Sequence, residues 1–317
     1  MNLNRESRRL LIARPRGFCA GVDRAIAIVE SMLEQVEGTL YVRREIVHNR
    51  SVVDYFAERG VVFVEELDEV PAGSSVIFSA HGVSPAVRED AERRGLRAVD
   101  ATCPLVTKVH HQVTTRAEAG NHILLIGHRG HDEVTGTMGV APDSITLVSS
   151  VAEVEDLEIP DGSRPYYVTQ TTLSVDETRE IVEALRDRFP DLEGPARSDI
   201  CYATQNRQDA VKSLVAEGIE LLLVVGSPNS SNSLRLCEVA RGMEVPAELI
   251  GSAADLKHEE LASLTCLGLT AGASAPEYLV QEIITDLSRM GWSAQEIVVM
   301  EENVKFSLPP LGNLKQN

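Results

Sequence analysis

Short apolar runs alternate along the chain with longer segments of helical period. Apolar runs of four to six residues between polar or glycine positions read as buried strands. Apolar residues recurring every three or four positions read as amphipathic helices. On this basis helices are expected over 22–36 and 105–119. Strands are expected over 40–47, 61–64, 76–79, 122–126, 145–148, 166–169, 220–225, 247–250 and 265–269. Alternation of this kind predicts an α/β protein.

The order of these elements repeats. Cys19 is followed by a helix, a strand, a polar tip at His48, a helix, two strands and a second tip, "AHGVSP", at His81. Cys103 opens the same series, with tips "GHRGHDE" and "QTTLS". Cys201 opens it again, with tips "GSPNSSNS" and "TAGASAPE". The three cysteines stand 84 and 98 residues apart. The letters repeat poorly and the architecture repeats well. The expected division is 20–102, 103–200, and 201–317 together with 1–19. Polar residues at strand ends of parallel units face one sheet edge. Three pseudo-repeated α/β units around a pseudo-threefold axis would therefore bring three thiols and six polar tips to one central cavity.

Composition narrows the function. The chain has 317 residues, 43% apolar and 25% charged, with only 4% aromatic, so its cores must be built from Val, Ile, Leu and Ala. A formal charge of −18 argues against a nucleic-acid partner. It does not exclude an anionic substrate, because backbone N–H groups and hydroxyls at helix N-termini can hold phosphate. No segment is long enough to span a bilayer, and the first apolar run is too short for a signal peptide. A cytoplasmic location is expected. Five cysteines, an odd number, do not suggest a disulfide framework.

Cys19, Cys103 and Cys201 each precede a helix, where the positive dipole end favours the thiolate. Pro104 fits a first helical position. Three thiolates admit a zinc ion with a fourth ligand or an iron–sulfur cluster. Structural zinc usually takes a closely spaced pair such as CxxC, and none is present. A cubane cluster can take ligands from separate units, and three cysteines would leave one iron open to substrate. Cys237 and Cys266 lie within apolar patterns and read as buried filler.

The tips carry His48, His81, His131, Ser230, Ser231 and Asn232. Ser174 and Ser274 each stand three residues before a glutamate, a capping-box pattern. Together the tips read as a site for a doubly phosphorylated or diphosphate group. The stretch "GHRGHDEVTGTMG" offers His128, His131, Asp132 and Glu133. Glu133 is the candidate general acid, sharing a network with Thr171 and His131. A non-catalytic metal-binding or iron–sulfur redox-sensing protein would explain the cysteines but not the tips.

The motifs "GFCAGVDRAI", "EIVHN", "FSAHGVSP", "DATCPLVTKVH", "GHRGHDEVTGTMG", "VTQTTLSVD", "DICYATQNRQDAV", "VVGSPNSSNSLRL" and "TAGASAPE" resemble those of the LytB/IspH family of 4-hydroxy-3-methylbut-2-enyl diphosphate reductases, from about Leu11 to Met290. The resemblance implies reductive dehydroxylation of an allylic diphosphate, the last step of the non-mevalonate route of isoprene biosynthesis. It implies a 4Fe-4S cluster on Cys19, Cys103 and Cys201, with one open iron site. It implies that His48, His81, His131, Thr171, Ser230, Ser231, Asn232 and Ser274 hold the substrate, and that Glu133, with His131 and Thr171, delivers protons. It also implies a ferredoxin or flavodoxin as electron donor, for which Arg14 and Arg16 offer a basic docking patch. Many relatives carry proline between the tip histidine and glutamate, where this chain has Asp132. That carboxylate is expected either to raise the pKa of Glu133 or to point to solvent. The tail after Gly291 is expected to form an edge strand and a closing arm.

Overall fold

The computed structural model describes residues 8–309. In chain order its elements are β1 (Arg9–Arg14), α1 (Ala20–Gln35), β2 (Leu40–Arg43), α2 (Arg50–Ala57), β3 (Val62–Val64), β4 (Ser75–Phe78), α3 (Pro85–Arg93) and β5 (Arg97–Asp100). Next come α4 (Pro104–Glu118), β6 (Asn121–Ile126), α5 (Asp132–Met138), β7 (Ile145–Val148), α6 (Val151–Glu155), β8 (Arg164–Thr169) and α7 (Val175–Arg188). The order finishes with α8 (Tyr202–Ala216), β9 (Leu221–Val225), α9 (Ser231–Gly242), β10 (Ala247–Ile250), α10 (His258–Leu261), β11 (Cys266–Ala271), α11 (Glu277–Arg289) and β12 (Ser293–Val298).

The strands form three sheets, ordered β10-β9-β11-β1-β12, β3-β2-β4-β5 and β7-β6-β8. Every pairing within them is parallel. The α/β class read from the alternating pattern is the class observed. The chain divides into two compact units. One comprises 1–19, 48–50 and 202–304 and contains the five-stranded sheet. The other comprises 20–47, 51–201 and 305–317 and contains the other two sheets. The outermost parts of both, 1–7 and 310–317, lie outside the described residues, as do the last residues of the tail.

In the first unit the central strands are apolar on both faces, as parallel strands covered by helices must be. Leu10 and Ile12 of β1 pack with Leu279, Ile283 and Leu287 of α11. Leu11 and Ala13 point the other way, toward Ala210, Val211 and Leu214 of α8 and Leu236 of α9. Alternate residues of one strand thus enter two cores, the period-2 rule at work. In the second unit, Leu124 and Ile126 of β6 pack with α7, while Ile123 and Leu125 pack with Val109 and Val113 of α4.

The differences from expectation are local. The strand expected over 40–47 stops at Arg43, because Arg44 takes a left-handed conformation with φ 58°. That turns the chain out of the ladder before the His48 tip. Two further strands, β1 and β5, add to the sheets. The tail supplies β12, an edge strand paired in parallel with β1 over Arg9–Arg14. No helix among the described residues is long and apolar enough to cross a membrane.

Candidate active site

Each of the three matched cysteines immediately precedes a helix: α1, α4 and α8. All three are half-buried and in no disulfide, whereas Cys237 and Cys266 are buried. Burial pushes the Cys237 thiol up to about 11, so it stays protonated at neutral pH and fills space in its core.

The backbone holds the three matched cysteines in one way. The Cys103 N–H donates to the carbonyl of Ala80 at 2.9 Å, that of Cys201 to Thr171 at 3.0 Å, and that of Cys19 to Ala273 at 3.2 Å. Each acceptor lies in a second polar tip, beside or at a predicted site residue: His81, Thr171 itself and Ser274. One hydrogen bond per cysteine therefore couples a thiol-bearing loop to a polar tip. Half-buried soft sulfur donors held in fixed loops suit an iron–sulfur cluster.

In the first unit, Ser230 caps α9 by accepting the Ser233 N–H at 3.3 Å, and Ser231 and Asn232 form the first turn. Ser230 Oγ lies 3.4 Å from Ser274 Oγ, and Ser274 Oγ donates to the carbonyl of His48 at 2.8 Å. Asn229 Nδ2 stands 3.5 Å from His48 Nδ1. His48, Ser230, Ser231, Asn232 and Ser274 thus share one region of this unit. The capping role expected of Ser274 is not found: the α11 N-cap is Pro276. Ser174 does cap α7, accepting from the Glu177 N–H. Asn232 is fixed at both ends of its amide. Its Oδ1 accepts the Ala273 N–H at 2.8 Å, and its Nδ2 donates to Thr204 Oγ1 at 3.2 Å. These hydroxyls, with an α-helix N-terminus among them, are groups suited to binding an anion.

In the second unit, Glu133 is 3% exposed, and Thr171 is also buried. Glu133 Oε1 accepts the Thr171 N–H at 2.6 Å, and Oε2 accepts the Thr171 hydroxyl at 2.9 Å. His131 is the α5 N-cap, and its Nδ1 accepts the Glu133 N–H at 3.1 Å. In the neutral ring that places the proton on Nε2. The His81 and His131 rings meet edge to face, with centroids 5.8 Å apart, and Ser79 Oγ stands 3.3 Å from His81 Nδ1. A Cβ at Gly136 would meet the carbonyl of Gly82 at 2.9 Å, so α5 seats directly on the His81 tip. Asp132 neither points freely to solvent nor stands unopposed beside Glu133. It pairs with Arg44, the residue in left-handed conformation just after β2.

The pattern-based reading passed over Ser79, Thr204 and Gln170, which orient site groups from behind. Gln170 is buried and accepts the His128 N–H at 3.0 Å. Arg14 and Arg16 are not a free basic patch. Arg16 lies between Glu277 and Glu296, 2.7 Å from each, and Arg14 also meets Glu296. The hydrogen bond from Arg16 is the main force holding the Glu296 carboxyl below its usual range.

Fold and site define a class: a parallel α/β protein whose three cysteine loops are tethered to polar strand tips carrying histidine, serine and a buried glutamate. Residues 10–288 match the LytB protein family, and the chain belongs to it. It is 56% identical to the 4-hydroxy-3-methylbut-2-enyl diphosphate reductase of Psychrobacter sp. (strain PRwf-1), covering 95% of this chain and 96% of that protein. It is also 56% identical to the enzyme of the same name from Ralstonia nicotianae, over 95% and 93%. The solved structure of the E-1-hydroxy-2-methyl-but-2-enyl-4-diphosphate reductase from Plasmodium falciparum is similar at a TM-score of 0.93 and 39% identity, with 96% of each chain covered.

Proposed function

We propose that this chain reduces (E)-4-hydroxy-3-methylbut-2-enyl diphosphate to isopentenyl diphosphate and dimethylallyl diphosphate, the closing step of the non-mevalonate pathway. The observation that carries the reading is the likeness along 95% of the chain to relatives named for this reaction. The reaction consumes two electrons and two protons, breaks the allylic C–O bond, releases water and forms one C–H bond.

Cys19, Cys103 and Cys201 are the proposed ligands of a 4Fe-4S cluster with one open iron. The cluster, when bound, supplies the electrons and a Lewis acid for the departing oxygen. The remaining work belongs to side chains. Ser230, Ser231, Asn232, Ser274 and His48 bind the diphosphate at the start of α9, and His81 and His131 donate further hydrogen bonds. Glu133 holds the proton that leaves with the hydroxyl oxygen, and Thr171 keeps its carboxyl fixed and relays protons. Because Glu133 is shielded from water, its proton goes to substrate rather than to solvent. Of the three proposed units, 20–102 carries the His48 and His81 tips, 103–200 carries Cys103 with the His131 and Thr171 tips, and 201–317 with 1–19 carries Cys19, Cys201 and the serine tips. Electrons come from a ferredoxin or flavodoxin, and the enzyme works in the cytoplasm. A redox sensor is not favoured, since the Glu133–Thr171 pair and the Ser230–Ser274 hydroxyls have no task in it.

Glu133→Gln tests the assignment. Turnover should fall at least about 100-fold, the usual contribution of a general acid. Iron and sulfide per chain, on protein prepared without oxygen, should match the wild type. Turnover close to wild type would remove Glu133 from the chemistry.

A further inference from the structure

A basic residue stands five or six positions after each matched cysteine: Arg24, Lys108 and Arg207. Each reaches the loop ahead of a different cysteine. Arg24, on α1 after Cys19, donates to the carbonyls of Ala101 and Thr102 at 3.2 and 3.0 Å, the two residues before Cys103. Lys108, on α4 after Cys103, approaches the Asp199 carboxylate at 3.1 Å and the Ser198 carbonyl at 3.4 Å, just before Cys201. Arg207, on α8 after Cys201, donates to the carbonyl of Gly17 at 2.7 and 3.2 Å and to that of Phe18 at 3.3 Å, the two residues before Cys19. The service is cyclic: first helix to second cysteine, second to third, third to first.

The groups are built for this. Arg207 is fully buried, and Asp199 has a wholly inaccessible side chain. The tail supports two of the three clasps. Glu302 accepts from Arg207 Nη1 at 3.1 Å and from Asn206 Nδ2 at 2.8 Å, and the Ser307 carbonyl accepts from Arg24 Nε at 3.0 Å. A guanidinium that donates to two successive carbonyls fixes the peptide planes leading into the cysteine, and hence where the thiol points.

We infer that Arg24, Lys108 and Arg207 are positioning residues for the cysteine ligands, each setting the loop of the next cysteine in the cycle rather than of its own helix. The inference rests on the reading of Cys19, Cys103 and Cys201 as cluster ligands. A cationic side chain reaching each loop also offsets the negative charge that thiolates bring to a half-buried site.

The test is which thiol is released. Holoenzyme prepared without oxygen is challenged with an iron chelator and alkylated with iodoacetamide, and each cysteine peptide is quantified over time. Arg24→Gln should speed labelling of Cys103, Lys108→Gln that of Cys201, and Arg207→Gln that of Cys19. Each gain should be roughly tenfold, the factor that loss of a charged hydrogen bond implies. The other two cysteines should change less, and Arg24→Lys should restore much of the protection at Cys103. Faster labelling of the cysteine on the mutated helix, an equal rise in all three, or no change would overturn the inference. If Arg207→Gln does not fold, the other two variants decide it. Cys19→Ala, Cys103→Ala and Cys201→Ala run alongside. Wild-type iron content in these would sink the ligand reading itself, a result distinct from misdirected labelling.

Discussion

His110 sits half-buried under the His81 tip, where a Cβ on Gly82 would lie 3.0 Å from its ring carbon Cε1. Its Nε2 is buried with no hydrogen-bond partner among the described residues. Burial, helped by the charge of Arg88 and opposed by Asp100, pushes its pKa from 6.5 down to about 4. Between those values the unfolded chain takes up a proton that the folded chain refuses. The folded state is therefore not penalised above pH 6.5 and loses stability as pH falls, with the loss complete near pH 4. The loss attributable to His110 should reach up to about 3 kcal/mol. Urea melts from pH 7 to 4 on wild type and His110→Gln measure it: the difference between the two should change steadily across this window. Parallel curves would show that the ring titrates normally. At the same scale, Glu133 illustrates what residue types alone reveal. Its position at a tip makes it a candidate acid, and the network expected with Thr171 is present as a double hydrogen bond between residues 38 positions apart in sequence.

Helix α9 carries Ser231 and Asn232 of the proposed diphosphate site, and its placement depends on two glycines. A Cβ at Gly226 or at Gly272 would overlap the Ser233 side chain. Gly272→Ala should destabilise the protein by about 1–3 kcal/mol, as overpacking generally does. It should also raise KM for the diphosphate more than it lowers kcat, because it shifts the helix start proposed to bind it. Gly242→Ala, at the far end of the same helix with nothing within 4 Å, should be neutral or slightly stabilising. Denaturant melts and steady-state kinetics on the pair separate crowding from helix propensity. Equal behaviour would mean that Ser233 yields without moving α9.

Much at the element scale was legible in the pattern: helices after each matched cysteine, β7 and β10 to the residue, and the edge strand of the tail. Two strands were not. In "RLLIAR" the four apolar residues of β1 are flanked by arginines, and "RAVD" of β5 is too short and polar to signal a strand on its own. Both become strands because a neighbouring strand offers its ladder, a tertiary cause. The basic clasps were missed for a related reason. Attention to strand tips passes over cations on helices, although their shared spacing after each cysteine is visible in the sequence.

Over the whole molecule a formal charge of −18 governs how protein partners approach. The proposed donor, an acidic ferredoxin or flavodoxin, would meet net repulsion, and the arginines beside Cys19 are already engaged by glutamates. Reduction by such a donor should therefore speed up as ionic strength rises from ~0.01 to ~0.15 M, over which the screening length falls from about 30 to 8 Å. Stopped-flow reduction rates across that range test it, and rates that fall with salt would reveal a local basic docking surface. One feature of the five-stranded sheet reaches further. β1 lies between β11 and β12, so it finds its partners only some 260 to 280 residues further along the chain. As the ribosome extends the polypeptide, Cys19 emerges well over 200 residues before those strands and cannot take its final place until they follow. The proposed cluster, which requires Cys19, is consequently completed only after β12 has been made. Strand β1 must meanwhile be kept from pairing with other chains.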